Sequence, residues 1–322
     1  ILDNSVPEVK KFEILKEGAV FDPLRKMLVM KDVSHLVDLK IEAEDADYIL
    51  ISNSNSFYGA EWKRFKEEFK DWHLEGENDG ERFVFVKFRD KAGNISDPVS
   101  AKIIVDTQAP VDCKVLATSG PPEQQNVYCI DSAKRVDLRL FARGAEFMQI
   151  SNDPSFKKDQ WIPYETQKFW TLSNPDGKKT VYARFKDLVG NESDVVSDSI
   201  ILDRKPPFDY SIILNKGEEA TNNYDQVVLV QVKAKDAVFM QFSNVPDFRS
   251  ARWVGYSDLN FDWRLAGDDG LKTVYVRFRD EAGNISGVAS DSIILDRKPP
   301  YAGTVVINDG ERITNNSNKK VN

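Results

Sequence analysis

The chain has 322 residues, of which 41% are hydrophobic and 30% charged, a balance that suits folded domains and excludes a long disordered or collagen-like chain. Its formal charge is −8, from 44 basic and 52 acidic side chains with no basic run, so binding to nucleic acid or to an acidic membrane is disfavoured. No apolar run approaches the roughly 20 residues that a membrane-spanning helix needs, and no direct membrane insertion is expected. At roughly 100 residues per small β-sandwich, the length has room for about three.

In chain order, the first feature is a short ending. Ile1–Asp3 reads ILD, and the same ending recurs as IIVD at Asp106 and as ILD at Asp203 and Asp296, at intervals of 103, 97 and 93 residues. A repeat at a fixed period is the signature of tandem modules. It divides the chain into 1–3, the tail of a preceding module; 4–106, 107–203 and 204–296, three sandwiches; and 297–322, the first strand or strands of a truncated fourth module. Ile1 begins without a basic stretch followed by a hydrophobic one, so any signal peptide is expected outside this segment.

Within each period the elements follow one order. Val37, Leu39, Ile41 and Ala43 alternate with polar residues, as, apart from Phe141 and Leu229, do Val136, Leu138, Leu140 and Ala142, and Val228, Val230, Val232 and Ala234. Period-two alternation predicts a strand with one face in the core. Ile49 and Ile51, Met148 and Ile150, and Met240 and Phe242 predict the next core strand, each just before a Ser-Asn pair. The six tryptophans come next, two per repeat and nine or ten residues apart: Trp62 and Trp72, Trp161 and Trp170, Trp253 and Trp263. An Asp-Gly turn then leads to a third core set, Val84, Val86 and Phe88, then Val181, Ala183 and Phe185, then Val274, Val276 and Phe278. In the first repeat alone, Glu61 to His73 places Trp62, Phe65, Phe69 and Trp72 on one helical face, which predicts a short local helix. The joints after Asp106 (TQAP) and after Asp203 and Asp296 (RKPP) are short and proline-bearing, so a semi-rigid, extended rod is expected.

The third core strand always opens into the same turn: FRDKAGNIS at 88–96, FKDLVGNES at 185–193 and FRDEAGNIS at 278–286. The succession Ser-Asn, Trp, Trp, Asp-Gly, VYVRFRDxAGNxS and IxLDxxxP resembles the tandem immunoglobulin-like and fibronectin-III-like repeats of large prokaryotic cell-surface and secreted proteins, over nearly the whole chain. The resemblance implies an all-β fold of tandem sandwiches and an extracellular, cell-surface setting. Such repeats serve as adhesin stalks, surface-layer building blocks or spacers in secreted enzymes, which points to structure and display more than chemistry.

The candidate sites are few. Asp90 and Asn94, Asp187 and Asn191, and Asp280 and Asn284 are expected to be hairpin-turn formers; their oxygens are also the calcium candidates, although no dense DxDxDG run is present. Asn94, Asn191, Asn284 and Asn315 stand in Asn-x-Ser sequons, serious only in a host that glycosylates them. Cys113 and Cys129 are the disulfide candidate, as an oxidising location favours a staple in the second repeat. One tryptophan per repeat is assigned to the core and the other could stack on sugar rings, with inter-strand packing favoured for both. His35 and His73 fall in no catalytic or metal motif, and acidic pairs such as Asp268 and Asp269 are read as turns. No catalytic residue and no cofactor are expected, hence no enzyme. The expected partners are neighbouring modules or copies of the same protein in a surface assembly, with polysaccharide as the alternative. A carbohydrate-binding array and an accessory arm of a secreted hydrolase are the competing readings.

Overall fold

The computed structural model describes residues 4–119, 127–306 and 310. The chain divides into two compact units, 1–202 with two sandwiches and 203–322 with one. Ile1–Asp3, Asn315 and most of 307–322 lie outside the described residues, and 297–306 carries no strand.

The first sandwich uses β1 (Glu8–Leu15), β2 (Val20–Asp22), β3 (Met27–Met30), β4 (Leu36–Glu44), β5 (Tyr48–Ser52), β6 (Lys63–Arg64), β7 (Glu68–His73), β8 (Gly80–Arg89) and β9 (Val99–Val105). One sheet is β1-β4-β7 and the other β2-β3-β9-β8-β5-β6. The second sandwich repeats the plan with β10 (Val111–Thr118), β11 (Tyr128–Cys129), β12 (Arg135–Arg143), β13 (Phe147–Ser151), β14 (Ile162–Pro163), β15 (Gln167–Thr171), β16 (Gly177–Lys186) and β17 (Val196–Leu202), in sheets β10-β12-β15 and β11-β17-β16-β13-β14. In the second unit β18 (Phe208–Leu214), β19 (Ala220–Thr221), β20 (Val227–Lys235), β21 (Phe239–Ser243), β22 (Trp253–Gly255), β23 (Phe261–Arg264), β24 (Gly270–Arg279) and β25 (Ala289–Leu295) give β18-β20-β23 and β19-β25-β24-β21-β22.

Every sandwich is of the immunoglobulin-like or fibronectin-III-like kind, with its opening segment shared between two sheets. β10 pairs antiparallel with β12, and the same stretch then crosses over so that β11 runs parallel to β17. The crossover covers the last strand's free edge, where unpaired backbone groups would otherwise invite foreign strands. A bulge recurs early in each opening strand, at Val9/Lys11, Val111/Lys114 and Phe208/Ser211.

The alternating residues fill three separate cores. Val37, Leu39 and Ile41 are buried in the first, Val136, Leu138 and Leu140 in the second, and Val228, Val230 and Val232 in the third. Phe88, Phe185 and Phe278, each fully buried, stand at the centre of their clusters. Burying one such side chain contributes about 1.5–3 kcal/mol.

Two sequence expectations are corrected here. Glu61–His73 is not helical but forms β6 and β7. Phe69 and Trp72, three apart, nevertheless share the core face, because a bulge lies between them: Leu39 faces Phe69, Val37 faces Trp72, and Asp71 takes φ 53°. A bulge adds one residue to a period of two and so imitates a helical spacing. The tryptophan assigned to each core is not fully buried either; Trp72, Trp170 and Trp263 pack on their clusters half-buried. The phenylalanine of the VYVRF strand already fills the centre.

Candidate functional site

The recurring polar residues build three constellations. The first is the Asp-x-x-Gly-Asn turn. Asp90 Oδ1 accepts from the backbone N–H groups of Gly93 (2.7 Å) and Asn94 (2.8 Å), and Oδ2 accepts from Asn94 Nδ2 (2.7 Å). Asp187 repeats this with Gly190 (2.8 Å), Asn191 (2.8 Å) and Asn191 Nδ2 (2.7 Å), and Asp280 with Gly283 (2.7 Å), Asn284 (2.8 Å) and Asn284 Nδ2 (2.9 Å). The glycine sits at φ 92–104° in all three, where a side chain would be strained. Ser96, Ser193 and Ser286 close the loop by accepting from the N–H of Phe88, Phe185 and Phe278. Burial disfavours the Asp90 carboxylate, but hydrogen bonds from Asn94 and Gly93 outweigh it and hold the carboxyl below its ordinary value.

These six residues therefore pair within their own turns, one pair per sandwich. Both carboxylate oxygens meet N–H groups, so a cation at these oxygens would have to displace donors already in place. Among the described residues no group of three or more His, Cys, Asp or Glu is arranged to hold a metal ion.

The turn also reaches the preceding joint. In the first unit Asn191 Nδ2 donates to the carbonyl of Asp106 (3.0 Å), and Lys31 Nζ of the first sandwich donates to the carbonyl of Gly190 (2.9 Å). The joint is fixed from its other side as well: Asp79, of the Asp-Gly turn, accepts from Thr107 N and Oγ1, both at 2.9 Å. Desolvation, with Asp187 and Asp79 nearby, pushes the Asp106 carboxyl up. In the second unit Asn284 Nδ2 donates to the carbonyl of Asp203 (3.1 Å), and Asp269 accepts from Arg297 N (3.2 Å) and Nε (2.6 Å).

The second constellation joins the Ser-Asn pair to the second tryptophan. Nε1 of Trp72, Trp170 and Trp263 donates to Oδ1 of Asn53, Asn152 and Asn244 at 3.0, 3.0 and 3.1 Å. Each asparagine in turn donates to a carbonyl of the tryptophan's strand, that of His73, Thr171 or Arg264. The bonds bridge the two sheets.

The third constellation holds the first tryptophan under cations. Arg89 lies 4.8 Å from the Trp62 ring centre, Arg184 and Lys186 lie 5.1 and 4.3 Å from Trp161, and Arg277 and Arg279 lie 5.4 and 4.7 Å from Trp253. Arg184 also lies over Phe156 and Arg277 over Phe248, and buried Gln149 and Gln241 accept from the two arginines at 2.7 Å. Phe57, Phe156 and Phe248 were not singled out from the sequence, although Ser-Asn-x-x-x-Phe recurs at 52–57, 151–156 and 243–248.

Cys113 and Cys129 form no disulfide with each other. Cys113 lies in the bulge opposite the Phe141–Arg143 end of β12 and donates to Pro110 O, whereas Cys129 donates to Arg135 O at the other end. Eight residues of strand separate those ends by about 26 Å, far beyond the roughly 7 Å a disulfide tolerates between Cα atoms. A spacing of sixteen residues suggests a staple, but the two cysteines stand at opposite ends of β12. His35 is half-buried, His73 is exposed, and their rings lie 6.2 Å apart.

The sheets thus define a chain of tandem immunoglobulin-like or fibronectin-III-like sandwiches whose repeated polar residues make scaffold contacts. No protein-family model matches the sequence, and no curated protein does. Among solved structures, the chain is similar to the fibronectin(III)-like modules of Clostridium thermocellum CbhA (10% identity, 59% of this chain and 100% of that one, TM-score 0.36). It is also similar to a tetra-tandem repeat in the extending region of a large adhesion protein (16%, 84% and 73%, TM-score 0.24) and to the chicken CNTN1 FN1-FN3 domains (12%, 90% and 99%, TM-score 0.33). The fold is defined by the sheet topology, not by these likenesses.

Proposed function

We propose that this chain is a non-catalytic structural segment of a large extracellular cell-surface protein, a surface-layer subunit or an adhesin stalk, that gives rigid extension and lateral contacts. One observation carries the reading: the polar residues that recur in every repeat are consumed three times over by the same scaffold bonds. An enzyme would need a nucleophile, a base and an orienting group brought together. Here the recurring carboxylates, amides and indoles face one another in turn, bridge and stack. The test is to label intact producing cells with antibodies against residues 107–203. Labelling without permeabilisation is expected, and labelling only after permeabilisation would overturn the proposal.

A second reading, carbohydrate binding, has one observation in its favour. A cleft of about 710 Å³ opens between β21, β22 and β23, lined by Phe242, Val254, Phe261 and Trp263 with Asn244 and Arg252. A smaller cleft of about 450 Å³ contains Trp72, Asn53 and Tyr58 in the first sandwich. An indole beside hydrogen-bonding groups suits a sugar ring, with its apolar face and polar edge. Polysaccharide pull-down and tryptophan quenching decide it; no retention and no quenching remove this reading. The hydrolase-arm reading is settled by the coding sequence on either side of this segment.

A further inference from the structure

We infer that the end of the third sandwich that carries Asp269, Asp296 and Arg297 is a docking face for one more sandwich of this repeat type, seated through the asparagine of its Asp-x-x-Gly-Asn turn. In the joint inside the first unit the occupant is present. There the N–H of Asp106 bonds Met30 O (2.9 Å), the Asp106 side chain accepts from Gln108 N (3.3 Å), and Asp79 clasps Thr107. These bonds aim the Asp106 carbonyl at Asn191, which takes it.

The far end of the third sandwich is built the same way. The N–H of Asp296 bonds Thr221 O (3.0 Å), its carboxylate accepts from Lys298 N (3.1 Å), and Asp269 clasps the next residue, Arg297, through backbone and side chain. Both partners of that ion pair are about three-quarters or more buried, with 21% and 23% of their side chains exposed. Gln226, with its amide turned to donate to Leu265 O, also accepts from Arg297 Nη1 at 2.7 Å. Among the described residues no donor reaches the Asp296 carbonyl. A linker clasped at this many points has already lost the freedom that docking would otherwise cost. The occupant is identified by the bond Asn191 makes to Asp106 inside the first unit, a bond that Asn284 repeats to Asp203 within the second.

This rests on the structural reading above, yet the two fail separately: surface labelling reports location, and docking is read on purified protein. The experiment extends residues 1–300 with a second copy of residues 208–300 and measures the distance distribution between spin labels on the third and the added sandwich. A single narrow distribution is expected, roughly doubling in width when the copied Asn284 is changed to Ala or when Asp269 is changed to Ala. Circular dichroism checks that each variant stays folded. Should the Asn284→Ala copy melt early, the Asp269→Ala chain, in which the turn of the added sandwich is intact, carries the test. A distribution already as broad in the unsubstituted chain as in the variants would overturn the inference.

Discussion

At the scale of single residues, the Asp-x-x-Gly-Asn turn shows how few atoms decide whether a carboxylate is a ligand or a cap. Asp187 meets the N–H groups of Val189, Gly190 and Asn191 and the Asn191 amide, all between 2.7 and 3.0 Å. Removing the carboxylate would strand four partly buried donors, at about 1 kcal/mol or more in all. A chelator is therefore expected to leave thermal melting unchanged, whereas Asp187→Ala lowers it; a drop on chelation would restore calcium as a ligand. The cysteines give a second prediction. Burial pushes the Cys113 thiol up, and Cys129 is buried in the core. Cys129 should alkylate only after unfolding and Cys113, partly exposed with its thiol pushed up, slowly in the native chain, both without reductant; a mass lower by two hydrogens in the native chain would contradict their separation.

Single elements rest on different supports. β16 owes its place to Val181, Ala183 and Phe185, all fully buried, so Phe185→Ala should cost about 3–5 kcal/mol in denaturant unfolding. A loss below 1 kcal/mol, on the order of an exposed site, would show that the ring is not central. The turn between β3 and β4 is held electrostatically. Lys16, just after β1, bonds Asp32 and donates to Leu36 O, and with Ser34 it lowers the Asp32 carboxyl from 3.8 to about 2. Because the folded value is the lower one, the bond stabilises at pH above 3.8 and is lost as pH falls towards about 2. Asp32→Asn should flatten this part of the acid denaturation curve, and parallel curves for variant and parent would sink the assignment.

For the whole molecule the unit of stability is the sandwich, since three clusters are formed by residues of three separate segments. Coupling then depends on the joints. In the first unit Lys31 and Asn191 cross from one sandwich to the other. Lys31→Ala with Asn191→Ala should separate the melting of residues 4–106 from that of 107–202, seen as two calorimetric transitions where the parent unit gives one. One unchanged transition would mean that coupling runs through other contacts.

By itself the sequence determined the repeat, the all-β class and the core positions of three strands in each repeat, because alternation along a strand is a local property with a period of two; the opening and closing strands, with Ile14, Val115 and Ile212 and with Ile103, Ile200 and Ile293, were not read as core. Val84, Val86 and Phe88 could be read as core for that reason, and the Asp-x-x-Gly-Asn turn because its bonds span four residues. What only the tertiary structure decided involves residues far apart in sequence. The pairing of β10 with β12 and of β11 with β17 separates Cys113 from Cys129, the bulge at Asp71 turns an apparent helix into a strand, and the pairing of sheets brings Asn152 to Trp170 and Arg184 over Trp161. Most of all, Asn191 reaches Asp106 across 85 residues. A hydrogen bond of that span leaves no local pattern, since either partner alone is an ordinary turn residue.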